Sequence, residues 1–93
     1  MRELEKGMFA RSLAGHDKGK LYIVLAADEK KLLLTDGKLR PLGKPKSKNR
    51  IHIQPDFEQS GVFSEENAHP DAVNAAIRKV IKSKEDSRCQ KQM

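Results

Sequence analysis

From residue 8 to residue 54, apolar and polar positions change places on a short period, with Gly, Pro and Asp at the breaks. Residues 8–13 predict a short strand with imperfect alternation. In residues 14–20, Gly15 and Gly19 bracket His16, Asp17 and Lys18. That reads as a tight exposed turn, because glycine reaches positive φ without steric cost. Residues 21–26 are apolar, β-branched or aromatic and make the strongest predicted strand. Residues 27–30 read as a hairpin turn and 31–35 as its antiparallel return, and Asp36-Gly37 marks a second turn. Residues 38–42 alternate charged and apolar side chains as a half-exposed edge strand does, with Pro41 excluding a central place. Residues 43–49 read as a basic loop and 50–54 as a last strand that closes the sheet, ended by Pro55. Short strands at this spacing predict a small β-barrel.

The period changes after Phe57. Val73, Ala76, Ile77, Val80 and Ile81 fall at i, i+3, i+4, i+7 and i+8, one face of a helix. Two starts are open. Ser64 is a candidate N-cap, with Glu65 and Glu66 at the positive end of the helix dipole. His69-Pro70-Asp71 is the other, with Pro70 at the first helical position. The apolar face is too narrow for a free-standing helix and must dock on the barrel or on a partner. From Ser83 onward the chain is polar and predicted to fray. The predicted organisation is a barrel over residues 6–56, a connecting loop and C-terminal helix over 57–84, and a disordered tail over 85–93.

Composition narrows the function. Ninety-three residues with a net charge of +6 make one small domain suited to polyanions. The charge is uneven: residues 1–50 hold thirteen Lys/Arg against six Asp/Glu, and residues 51–93 hold six against seven. Cys89 is the single cysteine, so neither an internal disulfide nor a multi-cysteine metal site is expected, and on a polar tail it reads as an ordinary thiol. No apolar run approaches the roughly 20 residues of a membrane span, and no secretory signal opens the chain. A soluble, cytoplasmic protein without membrane association is expected. His16, His52 and His69 lack the short spacings of a metal site. A phosphate-binding P-loop is rejected, because Leu21 follows Lys20 and a strand follows the glycines. No Ser/His/Asp set or carboxylate pair has a supporting context, so no catalytic residues, metal or cofactor are expected and the chain reads as a non-enzyme.

The stretch from Gly7 to Val24 resembles a KOW motif: a hydrophobic strand, a Gly-containing turn, a Gly-Lys pair (Gly19 and Lys20) and a second strand, with Phe9, Ile23 and Val24 at its apolar positions. The resemblance continues through residues 36–40 and 45–52. There the chain is similar to large-subunit ribosomal proteins of the fourteen-e, six-e and twenty-seven-e group, and most similar to the short bacterial KOW-domain proteins grouped with them. It covers residues 7–54. It implies an SH3-like barrel that contacts RNA, commonly ribosomal RNA, through the turn at residues 15–20 and the loop at 44–50. The helix after Phe57 lies outside the resemblance, and with it the chain reads as mostly β with a C-terminal helix. KOW barrels also contact RNA polymerase or other proteins.

The residues suit that role. Lys18 and Lys20 flank Gly19, whose backbone can approach a phosphate; Gly15 and His16 complete the turn. Lys44, Lys46, Lys48 and Arg50 alternate with Pro45, Ser47 and Asn49, so in an extended chain all four cations share one side at a repeat of roughly 6.6–6.8 Å. Lys38 adds charge, Arg40 offers a bidentate phosphate contact or stacking, and Asn49 and His52 offer hydrogen bonds to bases or 2′-hydroxyls. With few aromatics for stacking, structured RNA fits better than a sequence-read single strand. The plainer readings stand beside these: a solvated lysine loop, glycines that merely turn the chain, and Tyr22 as core. The alternative function is a protein-interaction module of the transcription or translation machinery, docking RNA polymerase or a ribosomal protein on the barrel edge or the helix face.

Overall fold

The computed structural model describes residues 4–64 and 69–91. Five antiparallel strands, β1 (Met8–Ser12), β2 (Leu21–Ala27), β3 (Lys31–Thr35), β4 (Lys46–Asn49) and β5 (Ile53–Gln59), form one sheet in the order β4-β3-β2-β1-β5. One helix, α1 (Pro70–Lys91), follows. The central strand explains the strongest sequence signal. Leu21, Tyr22, Ile23 and Val24 are all buried because β2 is covered on both faces. Tyr22 and Val24 meet Ala10, Leu32, Leu34 and Ile53 on one side. Leu21 and Ile23 meet Phe9 and the helix residues Val73 and Ile77 on the other. Alternate residues of one strand thus serve two cores, in register with Phe9 opposite Ile23 and Ala10 opposite Tyr22.

The helix docks on the sheet through the stripe its periodicity predicts, with Val80 and Ile81 joining Val73 and Ile77. Of its two candidate starts, His69-Pro70-Asp71 is the one used. The Asp71 N–H donates to His69 Nδ1 at 3.2 Å and the Val73 N–H to the His69 carbonyl at 3.0 Å. Pro70, which has no N–H to satisfy, is the first helical residue. Glu65 and Glu66 lie outside the described residues, as does the Cys89 side chain.

Four expectations are corrected. Residues 38–42 are a loop, not a strand, because the Asp36 carboxylate accepts the Lys38 and Arg40 N–H groups, both at 2.8 Å, in place of a neighbouring strand. The second half of the expected basic loop is the edge strand β4, paired with β3 from Lys31–Asn49 to Leu34–Lys46. Arg50–His52 is a 3-10 turn capped by Asn49, and the strand after it runs through Pro55 to Gln59. Pro55 is accommodated because β5 lies at the sheet edge. Finally, α1 continues past Lys84 to Lys91. No Gly or Pro interrupts it, and Arg11 holds Glu85 at 2.6 Å. Lys84 adds a clasp, reaching Asp56 at 2.9 Å and bonding Glu58 on β5 while lying over the Phe9 ring.

Among the described residues no ladder joins β4 to β5, so the sheet does not close into the expected barrel. The two edge strands are joined by only the three residues of the 3-10 turn, a rise of about 6 Å.

Candidate nucleic-acid interface

The turn between β1 and β2 is built by glycine. Gly15 and Gly19 both have φ of +88°, and the Lys18 N–H reaches the Gly15 carbonyl at 3.2 Å and the Gly19 N–H that of Ser12 at 2.8 Å. Inside the turn, Asp17 points inward, its side chain only 10% exposed. It accepts hydrogen bonds from Ser12 Oγ at 2.9 Å, Tyr22 Oη at 2.7 Å and Lys48 Nζ at 2.6 Å, and pairs with Lys46 Nζ at 3.0 Å. Lys48 also donates to the Ala14 carbonyl at 2.7 Å. Burial by itself would raise the Asp17 pKa. The hydrogen bonds, from Lys48 first and then Tyr22, Lys46 and Ser12, outweigh it and hold the carboxyl well below the usual range. Burial and the adjacent carboxylate push the Tyr22 hydroxyl up correspondingly.

A second buried carboxylate organises the 36–42 loop. Asp36 pairs with Lys20 at 2.5 Å and caps two backbone N–H groups, and its side chain is 7% exposed. Burial opposes its ionisation, and the Lys20 hydrogen bond and then the Lys38 and Arg40 amides overcome that and lower its pKa. Thr35 Oγ1 donates to the Arg40 carbonyl at 2.6 Å. The helix holds the loop from outside: Arg78 Nη1 donates to the Gly37 carbonyl at 2.6 Å, and the Leu42 N–H donates to Asn74 Oδ1 at 3.0 Å.

These contacts gather every segment singled out in the sequence around the β1–β2 turn. Lys20 joins it to the 36–42 loop, Lys46 and Lys48 join it to β4, and the Leu13 N–H joins it to the His52 carbonyl at 2.8 Å. The cations divide into two sets. Lys20, Lys46 and Lys48 hold carboxylates. The periodicity places Lys46 and Lys48 on one side, and that side faces Asp17, which both lysines hold, Lys48 with its side chain 10% exposed. His16, Lys18, Lys38, Arg40, Lys44 and His52 are exposed and Arg50 half-buried. The side chains of the five cations among them have no ion-pair partner among the described residues. Asn49 is exposed, but its Oδ1 accepts the Ile51 N–H at 3.1 Å.

Asp17, Ser12, Asn74 and Arg78 are organising residues that periodicity missed. The one available signal was an acid between two turn glycines, facing lysines two apart. Tyr22, 1% exposed, is core. Among the described residues no group of three or more His, Cys, Asp or Glu side chains is placed to hold a metal ion, and every buried side-chain N or O atom has a partner. No helix among them is long and apolar enough to cross a membrane. No protein-family model matches the chain, and no curated protein matches it at a significant level.

Proposed function

We propose that this chain binds structured RNA through the cationic rim around the β1–β2 turn, with ribosomal RNA or the large ribosomal subunit in the cytoplasm as the target the KOW resemblance points to. The observation that carries the reading is convergence. The turn, the 36–44 loop and residues 46–52 bring together eight Lys/Arg and two Asp. Both acids are paired, Asp36 buried and Asp17 half-buried, which leaves Lys18, Lys38, Arg40, Lys44 and Arg50 for phosphates. The burial of Phe9 and Tyr22 favours structured RNA, because neither ring can stack on an unpaired base. An SH3-like fold is supported by the strand order and by the 3-10 turn linking β4 to β5. Docking of a protein on the helix stripe loses support, since Val73 and Ile77 are buried against the sheet.

The test is fluorescence anisotropy with a labelled RNA hairpin across a salt series. Replacing Lys18, Arg40 and Lys44 together by Ala should weaken binding and lower the salt slope by about two to three units. Unchanged affinity in the folded triple variant refutes the rim, and equal affinity for a DNA duplex at equal salt refutes RNA selectivity. Saturable co-sedimentation with large ribosomal subunits at physiological salt places the target on the ribosome; its failure with hairpin binding intact places it elsewhere.

A further inference from the structure

Beside the rim, a groove of about 560 Å³ runs between the β1–β2 turn, the 36–39 segment and α1. Lys20, Lys38, Arg78 and Lys82 line it, with Asp36 and Glu85 as the carboxylates among its lining residues. Each carboxylate already holds a cation, Lys20 at 2.5 Å and Arg11 at 2.6 Å. Lys38 and Lys82 are exposed and without an ion-pair partner among the described residues. Arg78 gives one N–H to the Gly37 carbonyl, leaving guanidinium donors over from its five.

We propose that this groove seats a stretch of RNA backbone, making α1 part of the nucleic-acid surface as well as the cover of the second core. The inference rests on the RNA reading above and extends its contact set to Arg78 and Lys82. Three features carry it. The charge left after internal pairing, on Lys38, Arg78 and Lys82, is positive and continuous with the rim, because Lys38 belongs to both. The walls are held in place before any ligand arrives, by the Arg78–Gly37 and Asn74–Leu42 hydrogen bonds, so little ordering is lost on binding. The lining is also mixed. Leu39, 74% exposed, and Ile81 offer apolar contact to ribose or base, which an isolated phosphate would not use. The larger groove, about 710 Å³ between β1, β5 and α1, lacks this character. Asp56 and Glu58 line it, and its cations Arg11 and Lys84 are already paired.

The experiment uses the full chain and the labelled RNA hairpin. Lys82→Ala should lower the salt slope by about 0.7–0.9, and Lys82→Glu should lower affinity further. Lys79→Ala, an exposed cation of the same helix outside the groove, should leave both unchanged. Bound RNA should protect Lys82, and not Lys79, from acetylation. If wild-type protein binds the hairpin while Lys82→Ala matches it and Lys82 stays reactive, the groove is not a contact and the rim stands alone. If wild-type protein binds no RNA, the underlying reading falls with it. If decaglutamate occupies the groove as tightly as the hairpin, an acidic protein segment replaces RNA as its occupant and the inference is overturned.

Discussion

Replacing Asp17 by Asn should remove a large part of this protein's stability. Its carboxylate and the Lys48 ammonium are each only 10% exposed and 2.6 Å apart. Removing one partner of a fully buried pair costs about 3–5 kcal/mol, because the other charge is left without compensation, and this partly buried pair belongs at the low end of that range. Asn keeps the shape and can still accept from Ser12 or Tyr22, which places the loss near 3 kcal/mol on that scale. At about 0.05–0.15 kcal/mol per residue, a chain of 93 residues has about 5–14 kcal/mol in total. With a urea m-value near 1.5 kcal/mol/M, the unfolding midpoint should fall by about 2 M. Asp17→Asn/Lys48→Met, which removes both charges, should recover much of the loss. The pH profile is a second readout. The folded-state pKa of Asp17 is depressed, so its contribution is complete above the ordinary carboxylate range and is lost as the pH falls. Wild-type stability should therefore erode below about pH 5, and the Asn variant should erode less steeply, with Asp36 supplying a remaining slope. A loss under about 1 kcal/mol, the scale of an exposed ion pair, would refute the buried-hub account.

Ile77→Ala, at a fully buried helix position, should cost about 2–5 kcal/mol in chemical denaturation and loosen α1 from the sheet. Gly37→Ala should destabilise by more than about 1 kcal/mol, because φ is +74° and the added methyl would clash with the Asn74 carbonyl oxygen. Gly43→Ala, with open space around it, should be neutral or slightly stabilising in the same assay. Lys84→Met should cost no more than about 1 kcal/mol, since Asp56 and Glu58 are well exposed, and high salt should shrink the difference from wild type.

Local chemistry was legible where it acts over a few residues. The run from Leu21 to Val24 read as the strongest strand, and Val73, Ile77 and Val80 as one stripe of a helix; that both faces of the strand are covered emerged only in the fold. The Gly15–Gly19 turn and the basic character of residues 38–50 were equally plain. The errors came where a distant partner decided the outcome. Residues 38–42 have the alternation of an edge strand, yet Asp36 takes their N–H groups. Pro55 reads as a terminator, yet an edge position accepts it.

Periodicity and charge thus determined the central strand, its hairpin partner, the helix stripe and the candidate cations. Which way those cations point was decided by the tertiary structure alone. A strand pattern states that Lys46 and Lys48 share a side, but not which side faces the core. Asp17, some thirty residues earlier in the chain, settles that by supplying the buried carboxylate that makes their desolvation tolerable. The same long-range pairing turns three lysines into scaffold and leaves Lys18, Lys38, Arg40, Lys44 and Arg50 facing outward.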